Sequence, residues 1–376
     1  ACRVAESAGP LLVVPGVPRL DDGGVERGAI EVAAALVAAG HEAILISQGG
    51  RLVADLERVG ARHVHMSVGD KSPKVLGSLR TLKRWLDWER PDVLHPRSRL
   101  PAWLCWQIWK KAPVDRRPRF VTSVHGLHSV NRYSAVISRG ERIEAVSHTA
   151  REYLENHYVV EPPDKVRVIR RGIDPNAYFS GYRPHQAWLD TWDRQWGLSQ
   201  PPSTLVLPGR LTRLKGHEEL FPLVRSLVGK GYDFRVAVVG GVDRSRQRYA
   251  RRIQSAVRRD PILTKHIVFL GHRSDLREIM SMADIVLSLS TRPESFGRTV
   301  LEALSLGTPV VGYRHGGVGE ILRDVCPEGG VDLDKPADVV AKVESFLENP
   351  PFIANHEYTL QNMCQQTIAM YQELLS

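Results

Sequence analysis

Short apolar runs alternate along the chain with longer stretches in which apolar residues recur at three- and four-residue spacing. The first half carries LLVVPG (Leu11 to Gly16), HEAILIS (His41 to Ser47), HVHMSV (His63 to Val68), DVLHPRS (Asp92 to Ser98), FVTSVHG (Phe120 to Gly126), IEAVS (Ile143 to Ser147) and VRVIRRG (Val166 to Gly172). Runs of this length, rich in Val and Ile, read as buried strands, and the segments between them, such as Val25 to Ala39 and Val75 to Asp87, read as amphipathic helices. Strand, helix, strand repetition predicts a parallel sheet with right-handed crossovers.

The alternation pauses at DPNAYFSGYRPHQAWLDTWDRQWGLSQPP, Asp174 to Pro202, which reads as a connection with a short helix over Gln186 to Gln195. It resumes with TLVLPGR (Thr204 to Arg210), FRVAVVGG (Phe234 to Gly241), IVFLGH (Ile267 to His272), DIVLSLS (Asp284 to Ser290), PVVGYRH (Pro309 to His315) and GVDLD (Gly330 to Asp334). At 376 residues the chain exceeds what one core of roughly 250 to 300 residues supports. The pattern predicts an α/β protein of two doubly wound parallel-sheet domains in tandem. Their expected bounds are 1–180 and 203–355, with a linker over 181–202 and a C-terminal helix, 356–376, packing back on the first domain. In such sheets ligands sit beyond the carboxyl ends of the strands, so the loops after them are where chemistry is expected.

Composition adds an ordinary globular balance, 43% apolar and 25% charged, and a net charge of +9. Residues 1–195 hold 29 Lys/Arg against 22 Asp/Glu, so most of the excess lies in the first half. A basic half suggests an anionic partner: a phosphate-rich acceptor, a membrane surface or nucleic acid. Arg80, Lys83 and Arg84 share one helical face, and Arg97, Arg99, Lys110, Lys111, Arg116, Arg117 and Arg119 follow, interleaved with Trp85, Trp88, Trp103, Trp106 and Trp109. That mixture suits peripheral contact with an anionic bilayer or a grip on a phosphorylated lipid-linked sugar, or else a set of core tryptophans beneath a solvated face. Cys2, Cys105, Cys326 and Cys364 show no paired spacing and read as reduced thiols of an intracellular protein. The opening ACRVAESAGPLLVVPG is too short in apolar residues for a signal peptide, and GAIEVAAALVAAG, Gly28 to Gly40, is too short to span a bilayer. The expectation is a cytoplasmic protein, possible at the cytoplasmic face of the inner membrane.

Candidate chemistry gathers in the second half. LPGRLTRLKGHEEL places Arg210 and Lys215 on a strand-to-helix loop, where a planar fork and a compact point charge can embrace a diphosphate, or where a basic turn is merely solvated. Gly241 ends VVGG, which lets backbone approach a phosphate or ribose closely, but GGVDRS lacks the GxGxxG spacing and excludes the dinucleotide-binding fingerprint. RPESFGRTVLEALSLGTPVVGYRHGG holds Glu294 on a loop after a strand, Ser295, Phe296 and Gly297 at the expected start of a helix, and Glu302 within its early turns. Carboxylates there either complement the helix dipole, worth a few tenths to about 1 kcal/mol, or grip two hydroxyl-bearing parts of one ligand, while the helix N–H groups attract its phosphates.

These residues carry a resemblance. ESFGRTVLE resembles the E-x7-E motif of the retaining glycosyltransferases of family 4, which adopt the GT-B fold, two Rossmann-like domains facing a central cleft. GRLTRLKG resembles the phosphate-binding Arg and Lys of that family, RHGGVGEIL (Arg314 to Leu322) its glycine-rich loop, DDGGVERG (Asp21 to Gly28) its Gly-Gly loop, and SVHG (Ser123 to Gly126) its strand-end His. The resemblance extends from about Leu11 to the C-terminus. It implies that Glu294 holds hydroxyls of the transferred sugar and Glu302 the ribose hydroxyls. Arg210 and Lys215 then neutralise the diphosphate leaving group, His125 touches the sugar from across the cleft, and Gly23 and Gly24 bring backbone N–H groups near the diphosphate or acceptor. Glu320 either joins the donor site or caps a helix. Asp21 and Asp22 flank the Gly-Gly loop and read as turn formers before acceptor contacts. The first-domain text is similar to bacterial members that assemble lipopolysaccharide or surface polysaccharide. RRGID (Arg170 to Asp174) stands where the family has its GVD-type turn, and its Arg-Arg is a departure.

The implied activity is transfer of a hexosyl or heptosyl group from a nucleotide-sugar donor, with retention, to a glycan or glycolipid acceptor, in all expectation anionic. Asp332 and Asp334 form a DxD pair, yet they lie at an expected turn and enzymes of this fold generally need no metal. No metal and no cofactor are expected, with the nucleotide-sugar serving as substrate, and no nucleic-acid partner. Two alternatives stand beside this reading: a basic nucleic-acid binder, and a GT-B-fold nucleotide-sugar epimerase.

Overall fold

A computed structural model describes residues 10–21, 23–69, 75–196, 203–242 and 247–376. Cys2, Asp22 and the opening residues of the chain lie outside them. The chain divides into two compact units, residues 1–172 with 360–376, and residues 173–359. The first crossing falls earlier than the expected residue 180, and the second lies at Thr359/Leu360. Ile173 and Thr359, where the chain enters and leaves the second unit, form a parallel bridge, and Ile173 N–H donates to Tyr358 C=O at 3.1 Å.

The first unit is a seven-stranded sheet of β1 (Leu12–Gly16), β2 (Glu42–Ser47), β3 (Arg62–His65), β4 (Val93–Pro96), β5 (Arg119–Val124), β6 (Arg142–Ala145) and β7 (Val166–Val168), in the order β3-β2-β1-β4-β5-β6-β7. The second unit holds β8 (Ser203–Pro208), β9 (Phe234–Val239), β10 (Ile267–Gly271), β11 (Ile285–Ser288), β12 (Val310–Tyr313) and β13 (Gly330–Val331), in the order β10-β9-β8-β11-β12-β13. All the pairs are parallel. Each expected strand overlaps an observed one: β3, β5, β6 and β8 begin one residue earlier than expected, and from β3 onward the carboxyl ends are trimmed, most of all at β7.

Both sheets are buried on two faces, which is why their strands read as continuous apolar runs rather than alternating ones. In helix Gly24–Ala38, Ala29, Val32, Ala33 and Leu36 form the buried stripe and pack with Val13, Leu45 and Val121 in one core. Met363, Cys364, Met370 and Tyr371 of the last helix, Leu360–Leu375, complete that same core. The expected connecting helix spans Gln186–Trp196 and packs within the second unit: Trp192 is buried, and the Trp188 indole N–H donates to Asp275 at 2.7 Å.

The order of strands reverses direction between β1 and β4, and again between β8 and β11. Loops leaving these neighbouring strands therefore diverge and open a crevice at each sheet's carboxyl edge. Gly23, Arg210, Lys215 and Glu294 stand on such loops, whereas His125 follows β5, Gly241 follows β9 and Glu302 lies in a helix. Among the described residues no helix is long and apolar enough to cross a membrane. Cys105, Cys326 and Cys364 are buried free thiols, and burial pushes Cys105 and Cys364 up to about 12.

Candidate active site

The loop after β8 is held by backbone. Gly209 N–H donates to Val239 C=O at 2.8 Å and Leu211 N–H to Gly241 C=O at 3.1 Å, so the loops after β8 and β9, with Arg210 and Gly241, form one layer. Lys215 closes a single turn, Arg213–Lys215, before Gly216 at φ +66°. Only glycine fits there, since a Cβ would stand 1.7 Å from the Leu289 carbonyl oxygen. A Cβ on Gly209 would come within 2.8 Å of the Lys215 side chain, so its absence leaves the channel through which that side chain reaches.

Lys215 Nζ lies 2.8 Å from Glu294 Oε1 and 2.8 Å from Oε2. Glu294 sits on the loop after β11, where Ser290 Oγ donates to its Oε1 at 2.5 Å, and His315 Nε2 donates to the Ser290 carbonyl at 2.7 Å. Burial opposes the charge on Glu294, but the Lys215 ammonium, the hydrogen bonds from Lys215 and Ser290, and the nearby His315 outweigh it and hold the carboxyl below the usual range. An ionised carboxylate offers only acceptors, the requirement for gripping hydroxyls. Ser288, Arg292, Tyr313 and Val318 line a small pocket together with Ser290, Glu294 and His315.

The glycine-rich loop has a mechanical role. Gly317 N–H donates to Glu294 C=O at 2.8 Å, and a Cβ on Gly317 would stand 2.4 Å from Phe296 Cα. The start of helix Gly316–Val325 therefore presses directly on the 294–296 backbone and fixes where Glu294 points. The helix expected from Ser295 begins at Arg298 instead, because Gly297 adopts φ +107° and cannot be its first turn. Ser295 and Phe296 belong to the loop, with Phe296 buried. Glu302 lies in the second turn of Arg298–Ser305, buried, and accepts from Arg298 Nε at 3.0 Å. Glu320 is buried in the second turn of its helix, whose N-cap is His315. Asp332 accepts from Arg314 at 3.1 Å. Among the described residues there is no cluster of three or more His, Cys, Asp or Glu able to hold a metal.

In the first unit, Gly23 is the N-cap of helix Gly24–Ala38, and Asp21 accepts from Arg19 Nε at 2.9 Å. His125 follows β5 and its Nδ1 lies 3.0 Å from an Arg171 guanidinium nitrogen. Behind it runs a buried relay. Tyr371 O–H bonds to His95 Nδ1 at 2.7 Å, His95 Nε2 to Ser123 Oγ at 2.5 Å, Ser123 Oγ to Glu144 Oε2 at 3.0 Å, and Arg97 to the same Oε2 at 2.9 Å. Burial, then the charge of Arg97, lowers His95 to about 3. Against its own burial, Glu144 is held ionised by Arg97 and by its His and Arg neighbours.

Arg97, expected on the basic surface, is thus wholly buried in an ion pair. Its sequence context, DVLHPRS, offered a partial signal, since a strand-end cation between buried runs has no solvated face to occupy. Trp85, Trp103, Trp106 and Trp109 are partly buried against the core on that side of the sheet, and Trp88 alone of the five is largely exposed, at 84%. Lys110 stands over the Trp106 ring at 4.1 Å and Arg117 over Trp109 at 4.4 Å, so cations and aromatics do share a face.

Two parallel-sheet α/β domains of this topology, with cations and carboxylates converging on the carboxyl-edge loops of the second, define a GT-B protein. Residues 22–177 match the model of Glycosyltransferase Family 4 and residues 190–363 that of Glycosyl transferases group 1, and the chain belongs to this glycosyltransferase family. It is 24% identical over 246 residues to N-acetyl-alpha-D-glucosaminyl L-malate synthase of Bacillus anthracis, a match covering 62% of this chain and 60% of that enzyme. Among solved structures it resembles a glycosyltransferase from Rickettsia africae ESF-5, with TM-score 0.77 and 25% identity, covering 98% of this chain and all of that one. Anabaena HepE in complex with UDP and glucose gives TM-score 0.77 at 18% identity, covering 96% of this chain and 100% of the other.

Proposed function

We propose that this protein is a retaining, metal-independent glycosyltransferase that moves a hexosyl or heptosyl group from a nucleotide-sugar to a glycan or lipid-linked acceptor. The observation that carries the reading is the Lys215–Glu294 pair on the carboxyl-edge loops of the second sheet, with Arg210 on the same loop as Lys215. A diphosphate competes with Glu294 for the Lys215 ammonium. Once Lys215 turns to phosphate, the two carboxylate oxygens of Glu294 are released to accept hydrogen bonds from sugar hydroxyls, and Ser290 keeps one of them oriented.

As the bond from C1 of the sugar to the phosphate oxygen breaks, its electron pair leaves with the nucleoside diphosphate, and Arg210 and Lys215 stabilise that growing charge. The acceptor oxygen bonds to C1 on the same face, and its proton passes to a donor phosphate oxygen. Glu302 binds the ribose hydroxyls in this scheme, Gly241 and the 295–297 loop lie along the nucleotide, Gly23 and Gly24 bring N–H groups near the diphosphate, and His125 contacts the sugar. No metal or cofactor takes part.

The acceptor reading rests on the shared cation–aromatic face of the first unit and on the resemblance of its sequence to bacterial surface-polysaccharide enzymes. From it we infer a role in lipopolysaccharide core or surface-polysaccharide assembly at the cytoplasmic face of the inner membrane. UDP-glucose, with which HepE has also been solved in complex, is the first donor to try. Thermal shift with UDP-, GDP-, ADP- and CMP-sugars identifies the donor, and the anomeric coupling of the transferred sugar in the product reports retention. No stabilisation by any of the four classes, or an inverted product, refutes the reading.

A further inference from the structure

The Arg-Arg that departs from the family's turn has a structural consequence at His125. Arg171 follows β7, is buried, and directs one guanidinium nitrogen at His125 Nδ1, 3.0 Å away. Its other terminal nitrogen packs against the Sδ of Met363 at 3.9 Å, and Gly172 N–H meets the same sulfur at 3.5 Å. Gly28 makes the room: a Cβ there would stand 2.1 Å from the Arg171 NH1. The guanidinium is therefore wedged between helix Gly24–Ala38, helix Leu360–Leu375 and the His125 ring, with its donor direction fixed.

Arginine has donors and no acceptor, and it stays protonated in proteins. Nδ1 of His125 must then be the lone-pair nitrogen, and the ring proton resides on Nε2. We propose that Arg171 is a positioning residue that holds His125 as its neutral, Nε2-protonated tautomer, so that His125 meets a substrate oxygen as a hydrogen-bond donor rather than as a base. The groups that face His125 agree. Burial and the Arg171 charge resist its protonation, Glu144 on β6 favours it, and Arg97 after β4 and His95 on β4 oppose it, leaving the ring well below its ordinary value. Glu144 balances one of the two buried guanidiniums, Arg97, by direct contact, and the other, Arg171, is the one that faces His125 Nδ1.

The role toward substrate rests on the glycosyltransferase reading, whereas the tautomer does not. Imidazole 15N NMR on the full chain, with His125→Gln to assign the signal, reads the tautomer directly between about pH 5 and pH 8. The expected wild-type signal has a pyridine-type Nδ1 and a pyrrole-type Nε2 and does not titrate. In Arg171→Ala the tautomer changes or the midpoint rises by about one pH unit or more toward the ordinary histidine value. Arg171→Lys, which keeps a charged donor, returns the signal toward wild type. A protonated Nδ1 in the wild type, or a wild-type signal unchanged in Arg171→Ala, overturns the proposal; should Arg171→Ala fail to fold, a protonated Nδ1 in the wild type or Arg171→Lys overturns it equally. If the tautomer holds and no donor sugar is transferred, the glycosyltransferase reading fails and the tautomer assignment stands.

Discussion

Lys215 Nζ sits 2.8 Å from each carboxylate oxygen of Glu294, joining residues 79 positions apart on the loops after β8 and β11. The two groups proposed for opposite ends of a donor, its phosphates and its sugar, hold each other. A ligand must supply both replacements: an anion for the ammonium and hydroxyls for the carboxylate.

That arrangement separates two substitutions. Glu294→Ala is expected to lower kcat by roughly 100- to 1,000-fold while nucleotide affinity is retained, because Lys215 remains for the phosphates. Lys215→Ala weakens nucleotide binding as well as turnover. Calorimetric titration with nucleoside diphosphate alongside the transfer assay checks both. Glu294→Ala with unimpaired transfer refutes the site.

Gly317→Ala is expected to act on the site without removing any chemical group. The new Cβ would meet the Phe296 backbone 2.4 Å away, and the neighbour is main chain that cannot rotate aside. Forced displacement of this kind costs about 1 to 3 kcal/mol and carries the Glu294 backbone with it. Reduced kcat with a lowered melting temperature is the expected pair of effects; wild-type values for both would show that the loop contact is dispensable.

The first unit's relay predicts sensitivity to removal of its anion. Glu144→Ala leaves the Arg97 charge buried with no carboxylate, and breaking a buried pair from one side typically costs about 3 to 5 kcal/mol. Chemical denaturation should show that loss. A double change, Glu144→Leu with Arg97→Met, should recover a large part of it, because it leaves no uncompensated ion behind.

Acid should destabilise the same unit. His95 has a folded value of about 3 against 6.5 for the free side chain, so the unfolded chain binds the proton more readily between those values. The neutral ring's contribution is complete above about pH 6.5 and is lost as pH falls toward about 3. Glu144, also depressed, acts in the same direction at lower pH, as does Glu294 in the second unit: their contributions are present above the ordinary carboxylate value and vanish as pH falls through their folded ones. Stability measured against pH should therefore decline from about pH 6.5 downward, and His95→Gln should flatten the upper part of the decline.

The sequence by itself determined the strands, their parallel pairing, the loops that carry Arg210, Lys215 and Glu294, and the helix that carries Glu302. Those features are local: a strand buried on both faces must be apolar throughout, and a glycine at φ +66° or in contact with another loop leaves a visible gap in side-chain pattern. Tertiary structure alone decided what the charges do. The sequence alternation made Arg97 look like one more surface cation, whereas the fold buries it away from solvent in contact with Glu144. Likewise nothing local in RRGID joins Arg171 to His125, 46 residues earlier. That contact exists because β5 and β7 end at the same edge, Gly28 has no Cβ, and the last helix returns to cover the first core. Periodicity along the chain reports which face of an element is buried; which charges meet beneath that face depends on strand order.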